Sequence, residues 1–325
     1  MNQPKLVHFS DKDLDGESCF ILSRLAFPSR EMDLRGVTPY TVNQEVQRFL
    51  EEELSREMDV VITDVSVNEE VAALIQKKVK QGHFLRLIDH HPTALPLAAN
   101  YDWANVIIED SGKKTSATSL YYAYLIDQGL LAPSGVLSDY VELVRSFDTW
   151  DWDASGNVRA NQLNLLFYMV ERDVFVQDVI TRLREDSPDQ DQFVFNEVES
   201  VLIYTEEKRM DEFEQKKLKQ MKHVEVEIDL AKTRTFQVGV VFLEQYHSTT
   251  GNFLCKNDEQ IDFVAMLDPG KGRISFRTIK DDVDLAVIAQ HYGGGGHPKA
   301  SGCSFTGVTM KAFVYPALQV HPSQR

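Results

Sequence analysis

Four acidic or acidic–histidine motifs in the first half of the chain carry side chains that could bind metal ions. Each one follows a short apolar, strand-like run. In chain order they are Asp11, Asp13 and Asp15 in DKDLDGES, Asp64 in VVITDVS, Asp89-His90-His91 in LRLIDHHPTA, and Asp148 in VRSFDTWDWD. Taken singly, each motif has an ordinary explanation. Three close aspartates are common on solvated loops, an aspartate after a strand often caps a helix, and Asp148 could pair with Arg145.

Taken together, the four motifs form an oxygen-rich set of side chains with one or two imidazoles. Such a set suits Mn²⁺ or a similar divalent ion better than a structural zinc. Asp64 could bridge two ions about 3.5–4 Å apart, as carboxylates do in two-metal sites. The positive charge of the metal would then compensate the mutual repulsion of the aspartates.

The sequence HYGGGGHPKASG near the C-terminus is a second candidate site. Its four glycines, Gly293 to Gly296, allow backbone conformations with positive φ and the close approach of a ligand. Consecutive N–H groups there could face an anion, next to His297, Lys299 and Ser301. The alternative is a structural turn. The sequence contains neither the G-x-x-x-x-G-K-[ST] motif nor a G-x-G-x-x-G motif after its first strand.

The elements that must position these motifs alternate between strand-like and helical runs, which predicts an α/β fold. We expect an N-terminal domain, residues 1–188, with a mostly parallel sheet flanked by helices. The acidic motifs fall at the carboxyl ends of its strands, where ligands bind in open α/β sheets. A charged stretch without Gly or Pro predicts a helical connector at 189–235, and a smaller α/β domain follows at 236–325.

Composition narrows the class of protein. The net charge of the 325-residue chain is −16, and residues 236–325 contain eight basic and eight acidic residues, so residues 1–235 carry the whole excess. We do not expect such a protein to bind long duplex nucleic acid in general, because that binding depends on basic side chains that neutralise the phosphates. The three cysteines, Cys19, Cys255 and Cys303, are too scattered for a disulfide framework or a cysteine-based zinc site. With no long apolar run and no secretory signal, we expect a cytoplasmic protein without membrane contact.

These motifs, in this order, resemble the DHH phosphoesterase superfamily, named for the triplet found here as Asp89-His90-His91. GGGGHPKASG resembles the signature of the DHH-associated C-terminal domain. The resemblance implies two Mn²⁺ ions, with Mg²⁺ or Co²⁺ as substitutes. Asp13 and Asp64 would bind one ion, and Asp15, Asp64, His90 and Asp148 the other. Either Asp11, as in the RecJ-type arrangement, or His8 would complete the first site.

The same resemblance assigns residues to catalysis and to the substrate. Asp64 and His91 are the expected catalytic residues, and His91 would also face the substrate phosphate. The substrate-binding residues expected in the second domain are Arg277, Gly294, Gly295, Gly296, His297 and Ser301.

The two-domain plan and size look most like the oligoribonuclease branch of the superfamily. This implies a Mn²⁺-dependent phosphodiesterase that releases nucleoside 5′-monophosphates from short oligoribonucleotides or dinucleotides by means of metal-activated water. Alternatives are a cyclic- or linear-dinucleotide phosphodiesterase and a phosphatase of 3′-phosphoadenosine 5′-phosphate. A catalytically silent nucleotide sensor is an alternative of another class. The same resemblance is compatible with a homodimer.

Overall fold

The computed structural model describes residues 3–185, 191–230 and 233–319. The chain divides into two compact units, and the division falls between Ile203 and Tyr204. Within the described ranges, every helix is too short or too polar to cross a membrane.

The first unit is built on a five-stranded parallel sheet with the order β2-β1-β3-β4-β5. The strands are β1 Lys5–Ser10, β2 Met32–Gly36, β3 Met58–Thr63, β4 Phe84–Asp89 and β5 Ala104–Val106. A small hairpin follows, formed by β6 Glu109–Asp110 and β7 Lys113–Lys114. This architecture confirms the predicted α/β fold with a mostly parallel sheet.

Nine α-helices belong to the described part of the first unit, together with a 3₁₀ turn at Pro92–Ala94. They are α1 Leu14–Ala26, α2 Val42–Glu52, α3 Glu69–Lys80, α4 Leu95–Asn100, α5 Ala117–Asp127, α6 Gly135–Asp148, α7 Asp151–Ser155, α8 Val158–Met169 and α9 Arg172–Arg184. Helix α10, Glu197–Gln220, contains the division between the units.

The central strands are apolar on both faces because helices cover both faces of the sheet. Side chains alternate between faces along a strand, so neighbours in sequence enter different cores. Leu6 and Val61 belong to one buried cluster, while Val7 and Val60 belong to the other. The register of the strand pairs sets the positions of the residues that follow each strand.

The second unit contains a six-stranded mixed sheet with the order β12-β13-β11-β10-β9-β8. Strands β9 and β10 are parallel and the other pairs are antiparallel. Its elements are β8 Lys222–Asp229, β9 Thr233–Phe242, α11 His247–Asn257, β10 Phe263–Asp268, β11 Arg273–Arg277, α12 Leu285–His291, β12 Gly295–His297 and β13 Ala300–Ser304, followed by short helical turns at Gly307–Thr309, Met310–Val314 and Tyr315–Leu318. The separate, smaller α/β domain is thereby confirmed.

The segment predicted as a helical connector, 189–235, contains both α10 and strand β8. In β8 the side chains of Val224, Val226 and Ile228 are buried and alternate with exposed polar residues. This period of two is that of a half-buried strand, but the alternate glutamates give it the charge of a solvated helix. The expected boundary at 188/189 lies outside the described residues, and the one at 235/236 falls inside β9.

Candidate metal centre and second-unit anion surface

The predicted metal ligands of the first unit meet at the carboxyl edge of its sheet. Strands β1, β3 and β4 are neighbours, and the motifs follow directly after them. Asp148 is the last residue of α6. Because carboxyl ends of parallel strands share one edge, residues more than 130 positions apart in the sequence come together there.

His90 lies among three carboxylates. Its Nε2 atom is 3.5 Å from Asp64 Oδ1, 3.5 Å from Asp148 Oδ2 and 3.8 Å from Asp15 Oδ2. Within the described ranges, His90 Nε2, Asp64 Oδ2 and Asp148 Oδ2 are buried atoms without a hydrogen-bond partner. Leaving such atoms unpaired is costly, and a divalent ion would satisfy all of them.

A second group of ligand atoms overlaps the first at Asp64. Oxygen atoms of Asp11, Asp13 and Asp64 lie within 4.8 Å of one another, as do the ligand atoms of Asp15, His90 and Asp148. Asp64 therefore contacts both groups. This is the arrangement that a bridging carboxylate between two ions requires.

His8 is not available as a metal ligand. It is fully buried, with Nδ1 2.9 Å from Ser23 Oγ and Nε2 2.9 Å from Thr63 Oγ1. Burial lowers its pKa to about 3, so the imidazole is neutral. Since both ring nitrogens are hydrogen-bonded, Asp11 rather than His8 stands with Asp13 and Asp64.

The electrostatics of the cluster favour the binding of a cation, because the carboxylates are buried close to one another. Burial, followed by repulsion from Asp15, raises the pKa of Asp13 to about 6. Burial and neighbouring carboxylates also raise the pKa of Asp64 and of Asp148. Burial lowers the pKa of His90, which favours the neutral imidazole that binds metals. The donor set thus fits one or two divalent ions bound through oxygen and a single imidazole.

Backbone N–H donors hold two of these carboxylates in place. Asp15 is buried and accepts the N–H groups of Ala117 and Thr118, at 2.7 and 2.9 Å, at the start of α5. A helix N-terminus attracts a carboxylate, and these two bonds fix the position of the Asp15 side chain. Asp13 caps α1 by accepting from Gly16 N at 3.1 Å.

The alternative that Asp148 pairs with Arg145 is not what the structure shows. The Arg145 guanidinium donates to Glu142 at 2.7 and 2.8 Å and to Asp151 at 2.7 Å. The Asp148 side chain, 22% exposed, is left facing His90.

Asp89, the first residue of the triplet, positions the two histidines. It is fully buried and accepts the backbone N–H groups of His90 and His91, His91 Nδ1 at 2.7 Å, and the Ser66 hydroxyl. Burial alone would raise the pKa of Asp89, but its bond to His91 lowers it. The pKa of His91 rises correspondingly, since the interaction with Asp89 outweighs burial. The His91 side chain is 40% exposed and forms an accessible, positively polarised group.

Two backbone features make this geometry possible. Asp64 has a left-handed conformation, with φ of 60°, which few residues other than Gly, Asn and Asp adopt readily. A Cβ atom on Gly16 would collide with the backbone of Asp11. The glycine of the DKDLDG motif therefore allows the Asp11 loop to lie directly against the start of α1.

Arg277 is the most unusual cation of the second unit. It is largely buried, which lowers its pKa, and its guanidinium donates to Ser248 Oγ at 3.0 Å and Phe276 O at 2.9 Å. No carboxylate of the described ranges lies within 4.0 Å of it, whereas Lys299 pairs with Asp281 at 2.8 Å. A desolvated guanidinium without a counter-ion is a binding group for an anion.

His297 lies at the same level of the sheet as Arg277. Both residues pair with Ala300 of β13, one from each side, so their backbones are roughly 10 Å apart on one face. His297 is exposed. Together the two residues form a candidate anion-binding surface of the second unit.

The glycine run forms the edge of this surface. A Cβ on Gly294 would collide with Gly302 O, and Gly296 has φ of +140° with Ser301 behind it, whereas Gly295 has open space. Ser301 is buried and donates its hydroxyl to Leu285 O at 2.7 Å. This bond gives Ser301 a structural task that the sequence did not indicate.

Several residues that support the site escaped the sequence analysis. Ser66 holds Asp89, the Ala117–Thr118 backbone holds Asp15, and Ser248 holds Arg277. They carry no motif, because single hydroxyls and backbone amides acquire these roles only through the fold. The start of α5 after Ser116 was the one available signal, since Ser is a preferred N-cap.

Comparison with known proteins places the chain in a family, although no family model matches it. It is 39% identical over 317 residues to oligoribonuclease NrnB of Bacillus subtilis (strain 168), covering 97% of this chain and 76% of that protein. A pGpG-specific phosphodiesterase, PggH from Vibrio cholerae, shares the fold with a TM-score of 0.56 at 15% identity over 95% of each chain. The exonuclease RecJ bound to manganese does so with a TM-score of 0.54 at 14% identity, over 97% of this chain and 89% of that one.

The likeness to NrnB extends over nearly the whole chain, and the two solved structures share the fold over 95% and 97% of it. The acidic cluster has the ligands that metal-dependent phosphoester hydrolysis requires. The chain therefore belongs to the DHH phosphoesterase superfamily, in the same branch as oligoribonuclease NrnB, and is a metal-dependent phosphodiesterase.

Proposed function

We propose that the protein is a Mn²⁺-dependent oligoribonuclease that hydrolyses very short RNA to nucleoside 5′-monophosphates. The observation that carries this proposal is the position of Asp64, whose carboxylate lies with those of Asp11 and Asp13 and has Oδ1 3.5 Å from His90 Nε2 of the second ligand group. Identity to a protein named as an oligoribonuclease supports the substrate class.

We assign Asp11, Asp13 and Asp64 to one ion, and Asp15, Asp64, His90 and Asp148 to the other. When bound, two such ions lower the pKa of the attacking water and offset the charge that develops on the phosphoryl oxygens. Mn²⁺ fits a set of carboxylates with one imidazole, and Mg²⁺ or Co²⁺ would fit the same oxygens. The carboxylates of the chain would hold the ions, whose charge would offset the repulsion among these side chains.

His91 contributes a donor to the phosphate. Asp89 fixes the tautomer and orientation of its ring through Nδ1, so the opposite nitrogen carries a proton when the ring is charged. That N–H can donate to a non-bridging phosphoryl oxygen, and the raised pKa of His91 favours this state. We therefore assign His91 to substrate binding and to stabilisation of the transition state.

In the second unit we assign Arg277 and His297 to anion binding, with Gly295 leaving room for a ligand to approach the backbone. Placing these groups on ordered strands pre-positions the substrate, which lowers the entropic part of the barrier. Ser301 holds α12 through Leu285 and supports the surface from behind.

The charge distribution favours short substrates. Residues 1–235 carry the whole net charge of −16, so each additional phosphate of a longer strand meets an acidic surface. Affinity for nucleic acid normally grows with the number of phosphates that are neutralised. The metal centre is a local site for one or two phosphates, which is what a dinucleotide or a very short oligomer presents.

The decisive experiment is a panel of labelled substrates with the purified protein and Mn²⁺. It contains RNA and DNA oligomers of two to ten nucleotides, pGpG, cyclic dinucleotides and 3′-phosphoadenosine 5′-phosphate. We expect kcat/KM to be highest on RNA of two to five nucleotides, with 5′-monophosphates as products. Preferential turnover of a cyclic dinucleotide or of phosphoadenosine phosphate would identify that compound, rather than short RNA, as the substrate. If no compound is hydrolysed with Mn²⁺, the protein is a nucleotide sensor and not an enzyme.

A further inference from the structure

Three aromatic rings surround the end of helix α6, directly beside the metal-centre residue Asp148. The ring centroids of Trp150 and Trp152 are 5.4 Å apart, and each lies 6.4 Å from that of Phe147. Phe147 and Trp152 are nearly parallel, at 15°, and pack against the core of the first unit. Trp150 rests on these two rings and is partly exposed.

Trp150 has an unusual backbone conformation. Its φ is 65° and its ψ is 11°, a left-handed conformation that is a genuine outlier for a bulky residue. Strain of this kind persists only where the surrounding structure imposes it, and it concentrates at ligand sites. Arg145 imposes it here, because its guanidinium binds Thr149 Oγ1 on one side of Trp150 and Asp151 Oδ2 on the other, at 3.3 and 2.7 Å.

The cluster also contains an unused hydrogen-bond donor. Trp152 Nε1 is buried and has no acceptor in the described part of the chain. Buried tryptophan N–H groups usually find a partner. An acceptor supplied by a bound ligand, such as a base or ribose oxygen, would complete this bond.

The position of the cluster limits what the ligand can be. Asp148 contributes its carboxylate to the ion-binding group with His90, and Trp150 follows two residues later. The Cα atoms of residues two positions apart are at most about 7 Å from each other, so the nucleoside that adjoins a phosphate at the metal centre can extend to this ring. Aromatic side chains bind bases by stacking, with little preference for sequence because every base has a π-face.

We propose that Trp150, supported by Phe147 and Trp152, forms a base-stacking subsite for the nucleotide adjoining the scissile phosphate. This inference rests on the proposed function and adds the residue that recognises the base. It also explains how so acidic a protein binds a nucleic acid, since stacking adds affinity that does not depend on neutralising phosphates.

Removal of the base from the substrate tests the subsite. The substrates are an RNA dinucleotide and two analogues that carry an abasic ribose in place of the 5′ or the 3′ nucleoside. Stacking contributes roughly 5- to 150-fold per base, so the wild-type protein should prefer the complete dinucleotide to one of the analogues by a factor in that range. The preference should appear mainly in KM.

Trp150→Asn should abolish this preference, and Trp150→Phe should retain most of it. Asn accepts the left-handed backbone, so the loss cannot come from strain. Trp103→Phe is the matched control, because Trp103 is buried elsewhere in the first unit with Nε1 bonded to Gln76. If Trp150→Asn lowers kcat/KM by the same factor on the complete and abasic substrates, the subsite does not exist and the cluster only closes the end of α6.

A binding measurement separates this proposal from the proposed function. AMP should quench the tryptophan fluorescence of the wild-type protein and of Trp103→Phe, whereas ribose 5-phosphate should not. Trp150→Asn should lose most of the quenching by AMP. Quenching without hydrolysis of any dinucleotide would retain the subsite and refute the oligoribonuclease, and equal responses to AMP and ribose 5-phosphate would refute the subsite.

Discussion

His90 Nε2 and Asp64 Oδ1 lie 3.5 Å apart, and neither the imidazole nitrogen nor the second oxygen of Asp64 has a hydrogen-bond partner in the described ranges. Two complementary groups that could bond at 2.8 Å are instead held apart by the sheet and by Asp89. The sheet sets the Cα positions of both residues, and Asp89 holds the backbone N–H of His90. The spacing is therefore a property of the fold, and it leaves room for an ion.

Asp64→Asn should remove the negative charge of this residue while keeping the size of its side chain. Asn accepts the φ of 60°, while Ala would add backbone strain. In chelator, the raised pKa of Asp64 means that the native state binds its proton more tightly than the unfolded state. Stability is therefore lost as the pH rises above about 3.9 and through the raised value. At pH 7.5 we expect the chelated Asn variant to melt above the wild type by roughly 2–4 °C, or about 1 kcal/mol.

With Mn²⁺ the order should reverse. The wild type should gain thermal stability and the variant little, and kcat/KM of the variant should fall at least ~10³-fold, about 4 kcal/mol of transition-state stabilisation. Asp284→Asn is the control, since Asp284 only caps α12 and Asn caps equally well. A variant that still gains as much stability from Mn²⁺ as the wild type would rule out Asp64 as a shared ligand.

Gly16→Ala should displace the Asp11 loop. The new Cβ would overlap the backbone oxygen, carbon and nitrogen of Asp11, and overpacking of this kind costs about 1–3 kcal/mol. We expect a lower melting temperature together with a weaker Mn²⁺-induced stabilisation, measured by thermal unfolding with and without the metal. Gly307→Ala should behave as wild type, because nothing lies within 4 Å of its Cβ position. An unchanged response to Mn²⁺ in Gly16→Ala would mean that Asp11 is not a ligand.

The parallel sheet, and the position of the candidate metal ligands at its carboxyl edge, could be predicted from the sequence because β1, β3 and β4 are apolar runs that end at the motifs. The acidic residues of these motifs are visible in the sequence without any knowledge of the fold. The first metal site could not be completed in this way. His8 and Asp11 are both plausible ligands by type, and only burial between Ser23 and Thr63 removes His8.

Strand β8 and the role of Ser301 illustrate the other limit. Glu225 and Glu227 give β8 a charged, helix-like composition, and only pairing with β9 shows which side chains are buried. Ser301 lies within a binding motif, but its hydroxyl is directed at Leu285 O by the register of β13. Both depend on contacts between distant segments, which local patterns do not encode.

His8→Gln should change the acid stability of the protein. Since burial lowers the pKa of His8 to about 3, the unfolded state binds a proton that the native state does not between about pH 6.5 and 3. The contribution of His8 to the free energy of unfolding of the wild type is fully present above pH 6.5 and is lost as the pH falls toward 3. Between pH 7.5 and 5.5 we expect the wild type to lose about 1.4 kcal/mol more than the variant. Urea unfolding of both proteins in chelator measures this difference.

The remaining titratable groups are common to both proteins, so the difference between their pH profiles isolates His8. The Gln side chain can still bond to Ser23 or Thr63, so the variant should fold at pH 7.5 with a modest loss of stability. Parallel profiles from pH 7.5 to 5.5 would show that folding does not lower the pKa of His8, and His8 would then again be a candidate ligand.

His297→Ala should divide substrate binding from metal binding. His297 is exposed on the face of the second sheet that carries Arg277, and a charged hydrogen bond to phosphate contributes about 1.5–3 kcal/mol. We expect kcat/KM on a dinucleotide to fall roughly 10- to 150-fold, with the Mn²⁺-induced rise in melting temperature unchanged. His223→Ala is the matched control, because His223 is also exposed in the second unit but bonds to Asp258 at 2.6 Å. If His297 only shapes the turn before Ala300, its replacement will lower the melting temperature, while kcat/KM of the folded protein stays at the wild-type value. Measurement of both quantities on the same preparation decides between the two roles.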